Sequence, residues 1–203
     1  TGDHLYAVCR ALMRQSLRTG SGVFTSEDLD RALQRRTRRP VVLSAEEERV
    51  VAVHEPGHAL LAMHLPHATP PERISIAADT EGALGYVMRA ARTRPYAITR
   101  ADMLADICVG LGGYLAEELI FGDVSIGAYA DLQQANAIAL AMVEEYGMCD
   151  ALGMRVVPKT RRGQARVGGE MRDQIDGAVA EILERERTRA RETLAAHRAE
   201  LEA

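Results

Sequence analysis

Residues 44–65 read SAEEERVVAVHEPGHALLAMHL, and this stretch decides the fold. Ser44 with Glu47 three positions on has the form of a capping box, which predicts a helix starting at Ala45. Val50, Val51, Val53, Leu61 and Leu65 then recur at helical spacing until Pro66 stops the run. His54 and His58 stand four residues apart within it, about one helical turn, so both imidazoles can point at one metal ion. Glu55 sits beside the same point, where a carboxylate can accept a proton from water. One residue breaks the helical rule. Pro56 removes the hydrogen bond to the carbonyl of Ala52 and crowds it, at a typical cost of about 3 kcal/mol or a kink. The expectation is a bent helix that keeps its site, because the histidines and the acid are all retained.

Outward from this helix the chain reads as mainly α (α+β), with one small sheet or hairpin. Towards the N-terminus, residues 4–19 carry Leu5, Val8, Cys9, Leu12 and Met13 at helical spacing, with Asp3 as N-cap and Gly20 as stop. A short helix is predicted from Thr25-Ser26 through Leu29, Leu33 and Arg36. The basic run Arg35–Arg39 and Pro40 read as a solvated linker, so the domain boundary is placed between residues 39 and 40. Towards the C-terminus, Arg73–Ala77 and Leu84–Met88 read as two strands joined by a turn at Asp79–Gly82. Thr99 caps a single long helix through Leu119 that closes at Gly122. Gly110, Gly112 and Gly113 weaken it, which predicts compensating close helix packing. Further helices are predicted from Tyr129 to Tyr146 and from Glu170 to the end. The last is a charged amphipathic helix, read as a solvated surface helix in preference to an oligomer contact.

Composition narrows the class. A net charge of −4 and a pI near 5.9 give no sign of a nucleic-acid partner. The three cysteines, Cys9, Cys108 and Cys149, are far apart and lack a C-x-x-C pair, which argues against a disulfide scaffold and for a reducing compartment. No stretch has the ~18 consecutive apolar residues of a membrane span. The chain opens at Thr1-Gly2-Asp3 without a methionine, and the expectation is a piece of a longer protein.

H-E-x-x-H on a helix is the zinc-peptidase spacing, and such a site needs a third protein ligand and an open position. His4, His64, His67 and His197 read as surface residues. The carboxylates that stand out are Asp131, opening a helix after Ser125–Ala128, and Glu117 on the preceding helix. By spacing alone Asp131 is equally an acid complementing a helix dipole.

Here the sequence resembles the FtsH-type ATP-dependent zinc metalloproteases, the membrane AAA proteases. His54–Ala59 is similar to their HEAGHA motif, and Ile74-Ser75-Ile76 with Gly82–Tyr86 is similar to a strand followed by GALGYT. Leu111–Gly122 resembles LGGRAAEEIIFG, Ser125–Leu132 resembles STGASNDL, and His197–Leu201 stands where the family has NRxxL. The matches run in order over about residues 44–201. The resemblance implies zinc bound by His54, His58 and Asp131, a zinc-activated water with Glu55 as general base, and Glu117 close to the metal. It also implies residues 1–39 as the end of an AAA+ lid and residues 40–203 as the metallopeptidase domain. The implied substrates are unfolded or misfolded polypeptides, taken by a homo-hexamer. Neither a nucleic-acid partner nor a membrane contact from this segment itself is expected. The parent protein is expected on the cytoplasmic side, anchored to the inner membrane. ATP and Mg2+ would belong to an upstream ATPase domain, since no G-x-x-x-x-G-K-[ST] loop occurs here. Pro56, Tyr114, Ile126 and Ala130 depart from the family pattern. They keep open a proteolytically inactive assembly module of a hexameric complex and, more remotely, a stand-alone peptidase for short peptides.

Overall fold

Ser44 caps the central helix as its spacing predicts: its hydroxyl accepts from the Glu47 backbone N–H, and the Glu47 carboxylate accepts from the Ser44 N–H at 2.7 Å. The protein is seen in a computed structural model that describes residues 2–20, 22–26, 28–29, 43–76, 84–158 and 167–202. The basic run at 35–39, the boundary at 39/40 and the turn at 79–82 lie outside the described residues. The chain divides into two units, residues 1–42 with 78–84, and residues 43–77 with 85–203.

In the first unit, α1 (Gly2–Thr19) stops at Gly20, whose φ of +68° ends the helical path. It begins at Gly2, so Asp3 lies within it and is not its cap. A further helix begins after Thr25, whose hydroxyl accepts from the Asp28 N–H while the Asp28 carboxylate accepts from the Thr25 N–H. Its predicted course through Leu33 and Arg36 lies outside the described residues.

The second unit is built on α2 (Ala45–His64), which runs unbroken through Pro56. β1 (Pro71–Ser75) and β2 (Tyr86–Arg89) pair antiparallel with a register shift between Pro71 and Arg73. The predicted single helix after Thr99 is two: α3 (Arg100–Gly110) and α4 (Gly112–Phe121) meet at Leu111, where ψ is −7°. The glycines explain the break, for Gly112 passes against the backbone of α2. A Cβ on Gly57 would lie 2.5 Å from the Gly112 carbonyl oxygen, and one on Gly112 would lie 2.7 Å from that of Gly57. A 3-10 turn (Ile126–Ala128) leads into α5 (Tyr129–Glu144). α6 (Gly169–Ala196) and α7 (Arg198–Leu201) follow, separated at His197.

Leu61, Ile107, Met142, Val143 and Leu194 form the centre of the core, from α2, α3, α5 and α6. The charged last helix is amphipathic, as its sequence predicts, and one face of it packs in this core. Ile175, Ala178, Ile182, Glu186, Ala190 and Leu194 make a buried stripe at three- and four-residue steps. Within that stripe Arg189 reaches back to the buried Glu186 at 3.2 Å.

The cysteines are free: Cys9 is exposed, while Cys108 and Cys149 are buried. Burial, with the charge of Glu186 beside it, pushes the Cys108 thiol up to about 12. Native protein at pH 8 is expected to react with a thiol reagent at one site per chain and at three after denaturation. Three fast-reacting thiols in the native state would contradict this packing.

Candidate metal centre

The donors are set by four segments. His54 and His58 leave α2 on one face, both buried. Their Nε2 atoms lie 3.1 Å apart, with the rings edge to face. Asp131, in the first turn of α5, places Oδ2 3.2 Å from His54 Nε2 and 3.6 Å from His58 Nε2. Glu117 of α4 is only 1% exposed, and its Oε1 accepts from His54 Nδ1 at 2.7 Å. The same carboxylate accepts from the Ser125 backbone N–H at 2.6 Å and from the Ser125 hydroxyl at 3.1 Å. One buried acid thus orients His54 and fixes the loop that delivers Asp131.

Tautomers follow from partners. A carbonyl can only accept, so His58 Nδ1, 2.7 Å from the Val109 carbonyl oxygen, carries the hydrogen. Both Glu117 oxygens accept from Ser125, the N–H on Oε2 and the hydroxyl on Oε1, so His54 Nδ1 is assigned the hydrogen that it gives to Oε1. In the neutral rings both Nε2 atoms then present lone pairs to each other and to Asp131. Three acceptors face one point with no proton among them, an arrangement that calls for a cation.

Zinc fits the donor set. Bonds of about 2.0–2.1 Å in a tetrahedron separate ligand atoms by about 3.3 Å, and the triangle here has edges of 3.1, 3.2 and 3.6 Å. A second imidazole–carboxylate group, His64 with His197 and Glu200, lies elsewhere in this unit.

Electrostatics agree with the geometry. Burial opposes the Asp131 charge, but when a proton occupies the imidazole Nε2 atoms, hydrogen bonds from His54 and His58 outweigh it and hold the carboxyl well below the usual carboxylate range. For His54, burial disfavours the cation while hydrogen bonds to Asp131 and Glu117 favour it, and the net shift is upward. A proton is one cation these acceptors recruit. Burial pushes the Glu55 carboxyl up, the two imidazoles pull it down, and Asp131 adds to the rise; the net shift is upward.

Glycines make room for these groups. A Cβ on Gly113 would lie 2.3 Å from Cε1 and Nε2 of His54, and one on Gly85 would lie 2.8 Å from Glu55 Oε1. Neither contact was foreseen from the sequence, since nothing in a lone glycine names the side chain that presses on it. Beside the centre lies a cavity of about 150 Å³ lined by His58, Asp131, Val87, Arg89, Asp106 and Ile138.

Pro56 itself is half-buried and leaves the neighbouring donors converged. Replacing it with alanine is expected to stabilise the protein by about 2 kcal/mol, the interior-helix penalty of proline less its restraint of the unfolded chain. Zinc content, measured by metal analysis, is expected to be equal in the two proteins. Wild type near zero where Pro56→Ala loads fully would mean that the proline spoils the centre.

Comparison with known proteins agrees with this architecture. Residues 41–203 match the family model described as Peptidase family M41. The ATP-dependent zinc metalloprotease FtsH of Lancefieldella parvula is 34% identical, over 99% of this chain and 33% of its own length. FtsH of Syntrophobacter fumaroxidans is 37% identical, over 87% of this chain and 29% of its own length. FtsH 1 of Sorangium cellulosum is 42% identical, over 70% of this chain and 24% of its own length. The chain spans about a third or less of the length of these curated relatives. With a helical scaffold, one small antiparallel pair among the described residues and a match over residues 41–203, the chain belongs to peptidase family M41.

Proposed function

We propose that this chain is the zinc endopeptidase part of an ATP-dependent protease that degrades unfolded or misfolded protein. His54, His58 and Asp131 are its metal ligands and Glu55 is its general base. The observation that carries this reading is the triangle of three acceptor atoms with edges of 3.1–3.6 Å, facing one point beside a buried acid. Zinc, when bound, supplies Lewis acidity towards a peptide carbonyl and towards water. The chain's own residues do the rest. Glu55 receives the proton of the attacking water on its carboxylate and returns it to the leaving amine nitrogen. Its upward shift suits that task, because a more basic carboxylate takes the proton more readily. Glu117 and the Val109 carbonyl hold the two imidazoles with Nε2 inward, the orienting role that outer partners play at metal sites.

An extended substrate adds to the sheet at β2, whose outer edge is unpaired among the described residues. Val87 and Arg89 of β2 line the cavity beside His58 and Asp131, which supports that strand over β1. Strand addition reads backbone more than side chains, as an enzyme for unfolded chains requires. Residues 1–39 are the end of an AAA+ lid and residues 40–203 the peptidase domain. The full-length protein is a homo-hexamer on the cytoplasmic side of the inner membrane, with ATP and Mg2+ in its upstream ATPase domain. The resemblance and the greater length of the relatives support this setting, and no helix among the described residues is long and apolar enough to cross a membrane. No observation at the site favours an inactive assembly module.

The test is degradation of an unfolded, fluorescently labelled protein by the full-length protein with ATP, against its Glu55→Gln variant. Wild-type degradation that the variant lacks is expected. Equal rates, or no degradation by a zinc-loaded wild type, would overturn the reading.

A further inference from the structure

The cavity of about 150 Å³ beside the metal centre has walls of different chemistry. His58 and Asp131 belong to the centre, and Val87 and Ile138 are apolar. The rest of its charged lining is an ion pair, Arg89 of β2 with Asp106 of α3, whose Nη1 and Oδ1 lie 2.8 Å apart. Residues two apart on a strand share a face, so Arg89 enters the cavity beside Val87. The fold makes this pair, since Arg89 and Asp106 are 17 positions apart.

The pair is not neutral. Arg92, from the loop after β2, holds the other oxygen of Asp106 through its Nη2. Two guanidiniums thus share one carboxylate, which leaves a positive charge in excess. Asp102 lies near Arg92 and Arg94, and counting Asp102 with Arg94 adds one charge of each sign. Asp131 is turned to the imidazoles, with Oδ2 3.2 and 3.6 Å from their Nε2 atoms, so its charge serves the centre. Donors are left over as well. A guanidinium has five N–H groups, and among the described residues Asp106 is the acceptor that Arg89 reaches. The Arg89 side chain is 32% exposed, so water holds its remaining donors and an incoming carboxylate can replace that water with a charge-assisted pair.

Pockets that take a whole small ligand start at roughly 300 Å³, so this one suits a single side chain. We propose that the cavity receives the side chain of the substrate residue next to the scissile bond, and that Arg89 makes it select aspartate or glutamate. The carboxylate pairs with Arg89 while the methylene carbons lie against Val87 and Ile138. Arg89 is a specificity-determining residue that touches the substrate and takes no part in breaking the bond. The proposal rests on the zinc-endopeptidase reading above. It adds a side-chain preference that strand addition, which reads backbone, does not supply.

The test is digestion of a library of unfolded peptides by the zinc-loaded full-length protein with ATP, the cut sites being mapped by mass spectrometry. Acidic residues are expected at one position flanking the cut at about ten times their frequency in the library, the scale of a hydrogen bond to a charged group. Arg89→Gln is expected to bring that enrichment to about one, and Arg89→Lys, which keeps the charge, to retain part of it. Enrichment is a ratio within one digest, so it does not depend on how much of a variant folds. On wild type alone, it is expected to fall as salt rises from roughly 0.05 to 0.5 M, because a partly exposed pair is screened. Acidic residues at library frequency in wild type, equal enrichment in wild type and Arg89→Gln, or enrichment that salt leaves unmoved would each overturn the proposal. Cutting without an acidic preference would overturn it alone, whereas a zinc-loaded wild type that cuts nothing would overturn the reading it rests on as well.

Discussion

Glutamine at position 55 is expected to lower peptide hydrolysis by about 10²–10⁴-fold, the usual contribution of a positioned general base, while zinc content stays at the wild-type level. The carboxylate is buried, and Gly85 lies so close that a Cβ there would stand 2.8 Å from Oε1. Glutamine is nearly isosteric, so the fit against Gly85 survives the exchange. Only the capacity to take a proton goes. Metal analysis beside kcat/KM on a quenched peptide separates the two effects. A variant that loses zinc and activity together would make Glu55 a structural element of the centre, and one that retains full activity would remove it from the chemistry.

The second large effect is expected at a residue that carries no functional group. Gly113→Ala puts a Cβ 2.3 Å from Cε1 and Nε2 of His54, a separation that no side-chain relaxation short of moving the ring can relieve. The ring cannot turn aside and keep Nδ1 on Glu117 and Nε2 on Asp131 together. Loss of zinc and a fall of at least about 100-fold in kcat/KM are expected, the scale on which small misplacements act. Gly110→Ala is the control. Its Cβ would meet nothing nearer than 3.9 Å, so zinc content should hold and the helix should gain up to about 1 kcal/mol. If both alanine variants keep their zinc, the packing of α4 on His54 is looser than the structure has it.

What the sequence discloses depends on how far apart the partners lie. The capping box at Ser44–Glu47, the cap at Thr99 and the pairing of His54 with His58 are contacts across one turn, and local spacing predicts them. Asp131 is 77 positions from His54, and spacing alone leaves it even with a dipole-compensating acid. Only the resemblance singles it out. The break at Leu111 escaped because three glycines in a helix signal weak helicity without saying where the chain turns. The amphipathic pattern of α6 is legible in the sequence, but not the partners of its apolar face, which come from α2, α3 and α5 far away in the chain. His64 and His197 read as ordinary surface residues, since nothing in either neighbourhood points to the other. The departures from the family pattern also gain a physical meaning. Ile126 and Ala130 are exposed and Tyr114 half-buried, whereas Ser125 and Glu117, which hold the loop and the ligand, are unchanged from the motif.

The contact between Gly57 and Gly112 has one more consequence. Here α2 and α4 meet peptide against peptide, with only the rigid methyl of Ala116 beside the contact and no longer side chain to flex. Soft packing yields gradually when helices slide, but steep repulsion between backbone atoms does not. Displacement along either axis brings a neighbouring Cβ into the gap, so the pair has one seating and no shallow series of others. The distance from the Glu117 helix to the His54 helix is in effect gauged by bare backbone. Variation elsewhere in the core is then transmitted to the metal centre as an all-or-none loss of seating, and a family of core variants should divide into proteins with the full centre and proteins with none.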